Sequence, residues 1–175
     1  MEKDMFTLTD EEKSVLKAIA RTTLEVAVKE NRRVEIDPSK LPKRLQQHLG
    51  AFVTLKKEGR LRGCIGRFEP NQPLYEVIIE MAIAASRYDS RFAPVTPDEL
   101  SEIEIEISVL TPRVRVNSID DIVVGKHGIY VVYGEKNGTY LPQVATDMGW
   151  SKEEFFRSCC EQKAHIAPEH CKDAE

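Results

Sequence analysis

The stretch Ala51-Phe52-Val53-Thr54-Leu55-Lys56-Lys57-Glu58-Gly59-Arg60-Leu61-Arg62-Gly63-Cys64-Ile65-Gly66-Arg67-Phe68 decides the fold. Its two apolar runs, Ala51 to Leu55 and Leu61 to Phe68, are joined by Glu58-Gly59 and read as the arms of a β-hairpin, so the sheet is antiparallel here. The second arm carries a cysteine between two glycines, directly after an arginine. Gly63 and Gly66 leave no side chains to block an approaching ligand. Arg62 adds positive charge that favours the thiolate, the form that attacks electrophiles. Cys64 is therefore a candidate nucleophile or redox thiol. The same residues also read as a small apolar side chain packed in a strand, with the glycines marking a bulge or a tight turn. Lys56, Lys57, Arg60, Arg62 and Arg67 make the hairpin locally basic, either as a solvated sheet edge or as an anion site.

Upstream of the hairpin, Thr9-Asp10-Glu11-Glu12 is a capping box, and Val15, Leu16, Ile19, Thr23 and Val26 follow at helical spacing. Asn31-Arg32-Arg33 closes this packing helix. Pro38 and Pro42 frame a short second helix with Leu41, Leu45 and Leu49 on one face, which Gly50 stops. Downstream, Pro73 opens a helix whose stripe Leu74, Val77, Ile78, Met81 and Ala85 covers the sheet. The loop Tyr88-Asp89-Ser90-Arg91-Phe92-Ala93-Pro94-Val95 sets opposite charges around a serine, and Asp89 and Arg91 either clamp a ligand or pin the loop. Glu102 to Val109 alternates strictly, so its isoleucines face the core and Glu104 and Glu106 share the other face. Such a row is a solvated sheet face or, opposite Arg62 or Arg67, one wall of a polar cleft.

The C-terminal third has its own rhythm. Val123 to Tyr133 and Thr139 to Leu141 read as strands, with Gly125, Gly128, Gly134 and Gly138 marking turns. His127, in Lys126-His127-Gly128, is the strongest general-base candidate in the chain, although a turn histidine bonded to the backbone fits equally well. Pro142-Gln143-Val144-Ala145 begins a short helix, and the capping box Ser151-Lys152-Glu153-Glu154 starts another that carries Phe155, Phe156, Cys159 and Cys160.

Composition narrows the function classes. The 175 residues are 41% hydrophobic and carry 25 Lys+Arg against 29 Asp+Glu, a net charge of −4. That suits one soluble globular domain over residues 1–175, and no global field attracts nucleic acid. With no signal-peptide pattern and no long apolar run, the expected address is cytoplasmic, away from membranes, where the four cysteines stay as free thiols. Cys159, Cys160, His165, His170 and Cys171 lack the spacing of a zinc site, so no metal is expected. No Walker loop, dinucleotide fingerprint, HExxH or CxxxCxxC motif appears, and no cofactor is expected.

Read together, LRGCIG at 61 to 66, DSRFAPV at 89 to 95, EIEISVLTP at 104 to 112, GKHG at 125 to 128 and YLPQVA at 140 to 145, with Trp150 just after, occur in the order found in the AMMECR-one-type domain. The chain resembles that family, also called AmmeMemoRadiSam system protein A, over nearly its whole length. The resemblance implies an α+β fold, a mainly antiparallel sheet packed by helices in a larger and a smaller lobe around a cleft. Arg62, Gly63, Cys64, Gly66, Asp89, Arg91, Glu106, His127 and Gln143 are the positions it assigns to that cleft. It also implies a Memo-like protein and a radical S-adenosylmethionine enzyme as companions. Two departures stand out. Arg67 replaces a common threonine, and the sequence stops at Cys171-Lys172-Asp173-Ala174-Glu175, where the family usually continues into a last strand.

Two functions follow from these residues. In one, the domain is an adaptor whose cleft binds a small or anionic substrate, a peptide or a small RNA segment for its companions, and Cys64 is only packed. In the other it is an enzyme: Cys64 attacks or cycles redox state, Arg62 holds an anion, His127 shuttles protons, and Glu106, Asp89 and Arg91 orient the substrate. Gly63, Gly66 and Gln143 shape the substrate site in either case.

Overall fold

The hairpin is the centre of the first part of the structure, a computed structural model that describes residues 7–175. Strands β1 (Gly50–Lys57) and β2 (Arg60–Arg67) pair antiparallel across Glu58 and Gly59, whose φ values are 51° and 71°. Two successive positive φ values match the twist of the flanking strands, as in a type I′ turn. Strand β3 (Ile103–Leu110) pairs antiparallel on the other side of β1, so the order is β2-β1-β3.

Alternation along β1 sets the two faces. Ala51, Val53 and Leu55 are fully buried beneath α1 (Asp10–Glu30) and α2 (Leu74–Arg87), while Phe52, Thr54 and Lys56 take the opposite face. Leu16, Ile19, Ala20 and Leu24 of α1 meet Val77, Ile78 and Ile79 of α2 in the same core. Ile105, Ile107 and Val109 of β3 pack against it, as their alternation requires. The Thr9–Glu12 capping box forms, and Asn31 ends α1 in the left-handed conformation. Arg21 reaches from α1 to the carbonyl oxygens of Leu100 (3.2 Å) and Ile103 (2.5 Å), which holds the entry to β3.

The chain divides into two compact units, the first running to Pro112 and the second from Arg113 to Glu175. In the second, β4 (Ile129–Tyr133) and β5 (Lys136–Tyr140) form an antiparallel hairpin, followed by α3 (Pro142–Met148) and α4 (Lys152–Ser158). The Ser151–Glu154 capping box starts α4, which runs on into a π-turn, Cys159–Lys163. Ile129, Val131, Tyr140, Phe155, Cys159, Cys160 and Ile166 make the core of this unit. On the other side of β4, Val132 exchanges two backbone hydrogen bonds with Glu175, 2.7 and 2.8 Å long. The α+β class with antiparallel pairing throughout is thus observed, and the two units are of unequal length.

Three local expectations are corrected. Residues 38–49 form no α-helix but two short 3-10 turns, Pro38–Lys40 and Lys43–Gln46. Pro42 lies between them, and it forces Leu41 into extended backbone at φ −98°, ψ 148°. The strand expected from Val123 starts only at Ile129, because Val123 to His127 closes into a turn through Gly125 at φ 82°. Likewise β5 ends at Tyr140, and Leu141 is the N-cap of α3.

Candidate functional site

Cys64 lies on β2, an edge strand, and its register places it opposite Thr54, which in turn lies opposite Glu106 on β3. These three side chains form a row across the sheet on the face away from α1 and α2. The Cys64 sulfur is 3.1 Å from the Thr54 hydroxyl oxygen, and Lys56 closes on Glu106 at 2.6 Å. Glu106 is therefore neutralised by a cation on the neighbouring strand, and the carboxylate row of β3 does not stand as a wall of unopposed charge.

The free edge of β2 is closed by side chains. The Cys64 N–H donates to Asp89 Oδ2 at 2.9 Å, and Arg91 Nη2 donates to the Cys64 carbonyl oxygen at 3.2 Å. Arg91 also grips Asp89 in a two-point pair, Nε to Oδ1 at 2.9 Å and Nη2 to Oδ2 at 2.7 Å. One acceptor and one donor thus meet Cys64 as a neighbouring strand would, which protects the edge from other pairing. Asp89 is only 5% exposed, and the guanidinium beside it holds its carboxyl well below the usual carboxylate range. The same pair raises Arg91, so both stay charged at any ordinary pH.

Arg62 continues the closure two residues earlier. Its Nε and Nη2 each reach Glu99 at 2.9 Å, and Nη1 and Nη2 donate to the carbonyl oxygens of Ala93 (2.8 Å) and Pro94 (3.3 Å). Glu99 also accepts the Thr96 N–H at 2.9 Å, and hydrogen bonding to Arg62 first and to Thr96 second lowers its carboxyl to about 2. Arg62, the neighbour of this motif's thiol in sequence, is thus committed to Glu99 in space. A guanidinium paired in two-point fashion to a carboxylate carries little net field, and it points into the loop of residues 88–99. Glu99 was not among the sequence candidates. Its only signal was the Thr96-x-x-Glu99 capping pattern, which gives no hint of the arginine.

The flanking glycines do not open a path to the thiol. A Cβ on Gly63 would overlap the carbonyl oxygen of Ala85 at the end of α2, and one on Gly66 would overlap the Phe52 ring. Gly63 lets the helix approach the strand, and Gly66 gives Phe52 a surface on which to lie, with Phe68 edge-on to that ring at 5.3 Å between centroids. Cys64 itself is half-buried.

His127 and Gln143 belong to the second unit. Nδ1 of His127 accepts the Val123 N–H at 3.2 Å, while the His127 backbone N–H donates to the Val123 carbonyl oxygen at 2.9 Å. An imidazole that accepts at Nδ1 keeps its proton on Nε2 when neutral, so it offers its surroundings a donor. Gln143 is the second residue of α3, and its carbonyl oxygen accepts the Thr146 hydroxyl at 2.9 Å. The structure thus joins Arg62, Gly63, Cys64, Gly66, Asp89, Arg91 and Glu106 on one sheet and its edge loop, with His127 and Gln143 in the other unit. Among the described residues no group of three or more His, Cys, Asp or Glu side chains is arranged to hold a metal ion. No described helix is long and apolar enough to cross a membrane.

The family model for AMMECR1 matches residues 17–175. This chain belongs to the AMMECR1 family. A protein of Methanothermobacter thermautotrophicus is 43% identical over 174 residues, covering 96% of this chain and 90% of its own. Protein MK0488 of Methanopyrus kandleri is 40% identical, covering 93% and 81%. Among solved structures, the crystal structure of the uncharacterized protein PH0010 from Pyrococcus horikoshii superposes with a TM-score of 0.86 at 36% identity, over 95% of this chain and 86% of that one. The AMMECR1 motif LRGCIG is thus the edge strand of the first unit, and DSRFAPV is the loop that closes its edge.

Proposed function

We propose that this AMMECR1-family chain is a cytoplasmic binding module. Its motif residues form a cleft that presents a small polar or anionic substrate, or a peptide segment, to a Memo-like protein and a radical S-adenosylmethionine enzyme of the AmmeMemoRadiSam system. The observation that carries this reading is how the motif charges around Cys64 are committed. Arg62 binds Glu99, Arg91 binds Asp89 and Lys56 binds Glu106, while Asp89 and Arg91 fix the Cys64 backbone. A cysteine nucleophile needs a base at its proton, and within its own unit the Cys64 sulfur meets the Thr54 hydroxyl, which is no base. A sheet edge already held in place loses little conformational freedom when a ligand or partner arrives, which suits recognition. The paired cations and the net charge of −4 leave only local, salt-sensitive attraction for nucleic acid.

The test is capture of each companion by the full chain, with a ligand screen by thermal shift, on wild type and Cys64→Ser. We expect binding to survive Cys64→Ser. Failure of both companions to bind, together with no ligand-induced shift, removes the adaptor reading. Turnover by the isolated wild-type chain that Cys64→Ser abolishes would replace it with the enzyme.

A further inference from the structure

The sheet of the first unit has two edges, and the chain treats them differently. On β2 the Cys64 N–H and carbonyl oxygen both point away from β1, to Asp89 and Arg91. Thr54, opposite Cys64, therefore turns its own backbone groups the other way, toward Glu106 of β3. Alternation then sends the N–H and C=O groups of Ile105, Ile107 and Val109 outward, off the far edge of β3. The Ile103 carbonyl oxygen follows the same rule and meets Arg21 at 2.5 Å. Past Ile103, nothing among the described residues hydrogen-bonds this outward row.

The side chains of that row help to wall a groove. Ile107 and Val109, with Leu8 and the buried Leu16, line a space of about 350 Å³ beside α1, and Lys13 and Lys17 of α1 stand at it. Lys17 has no anionic partner among the described residues, and Lys13 pairs there with Asp10 alone, at 3.4 Å with both side chains in solvent. Such a pair exchanges at little cost. An unbonded strand edge, an apolar groove and two available ammonium groups thus lie together on the helix side of the sheet, the face opposite the Cys64, Thr54 and Glu106 row.

We propose that the outer edge of β3 binds an extended acidic peptide segment of a partner protein, which adds a fourth, antiparallel strand to the sheet. Its backbone bonds to Ile105, Ile107 and Val109 supply affinity, and the side chains of alternate residues supply selection. One apolar side chain enters the groove between Leu16, Ile107 and Val109, and carboxylates two residues away on the same face meet Lys13 and Lys17. The residues between them face the side of Glu104 and Glu106, so they are uncharged or basic. A second copy of β3 fits poorly. Its glutamates would fall on the face that already carries Glu104 and Glu106, and only its apolar residues would reach the lysines.

The experiment titrates the isotope-labelled wild-type chain with the end-blocked heptapeptide Thr-Glu-Thr-Val-Thr-Glu-Thr, whose glutamates and valine share one face of a strand. The amide signals of Ile105, Ile107 and Val109 should move. With free peptide at about ten times its Kd, their exchange with solvent should slow about tenfold. N-methylation of the valine removes a central strand hydrogen bond and should weaken binding at least about fivefold. Replacing both glutamates of the peptide by lysine should weaken binding to the wild type, and the double variant Lys13→Glu, Lys17→Glu should prefer that lysine peptide. Amides of β3 that stay unmoved in excess peptide overturn the proposal, as do shifts confined to Cys64, Asp89 and Arg91. Equal affinity for the N-methylated peptide overturns it too, and so does an unchanged preference in the double variant. A concentration-dependent dimer that protects the same amides without peptide would give the edge to a second copy and overturn the peptide partner.

Discussion

Cys64 and Cys160 are held in opposite ways, one among paired charges at a sheet edge and one in a hydrocarbon core. Around Cys64 the protein places charge: Asp89 and Arg91 on its backbone, with Arg62 and Glu99 two residues away. Around Cys160 it places hydrocarbon, and burial pushes that thiol up to about 12. Burial alone does nearly the same to Cys159, although Lys163 opposes it. A charged, half-buried edge can meet a ligand, whereas a thiol kept protonated in a core is inert until something small reaches it.

The strongest way to break this contrast is at Gly63. The carbonyl of Ala85 occupies the place of a side chain there, and backbone at a helix end cannot yield as a flexible side chain can. Gly63→Val should cost about 3 kcal/mol or more by overpacking, read as a fall in the urea midpoint. A near-neutral result would mean that α2 does not press on the strand, and that the glycine serves access to Cys64 after all.

Alkylation of the native protein at pH 8 compares the thiols directly. Cys64 should react with iodoacetamide at least about a hundredfold faster than Cys159 or Cys160, whose thiolate fractions at that pH are on the order of one in ten thousand. Equal rates would show that Cys64 is packed as tightly as the core thiols.

Removing the brace has a smaller effect. Asp89→Ala leaves the Cys64 N–H without its acceptor and Arg91 without its carboxylate, so we expect a loss of about 2 kcal/mol. Companion capture should weaken with it if the edge loop forms the recognition surface. Unchanged stability would mean that the loop holds β2 without this pair.

Acid sharpens the comparison at Glu99. Its carboxyl falls from an ordinary 4.5 to about 2 in the folded protein, so its stabilisation is fully present above about pH 4.5 and is lost as pH falls toward 2. Discounted for partial exposure, the contribution is about 1 kcal/mol. Glu99→Gln should remove that part of the acid dependence, and an identical profile for wild type and variant would show that the Arg62 pair is not coupled to folding.

Much of this AMMECR1 domain is written locally. The hairpin, both long helices, the alternation of β3 and the capping boxes at Thr9 and Ser151 depend on neighbours a few residues away, and periodicity and turn chemistry carry that information. Where local signals competed, the reading failed. Leucine spacing suggested a helix over residues 38–49, and Pro42 overruled it by fixing the backbone before it.

The sequence by itself determined the class of fold, the place of LRGCIG on the second arm of a hairpin and the presence of charged residues in the loop of residues 88–95. The tertiary structure alone decided how those charges are paired. Arg62 meets Glu99 across 37 residues, and Asp89 meets the Cys64 N–H across 25. Residue type sets what a side chain can bond to, but not which of many equivalent partners packing brings within 3 Å. A charge beside a thiol in sequence therefore says little about its field in space, because two-point pairing to a distant carboxylate cancels it.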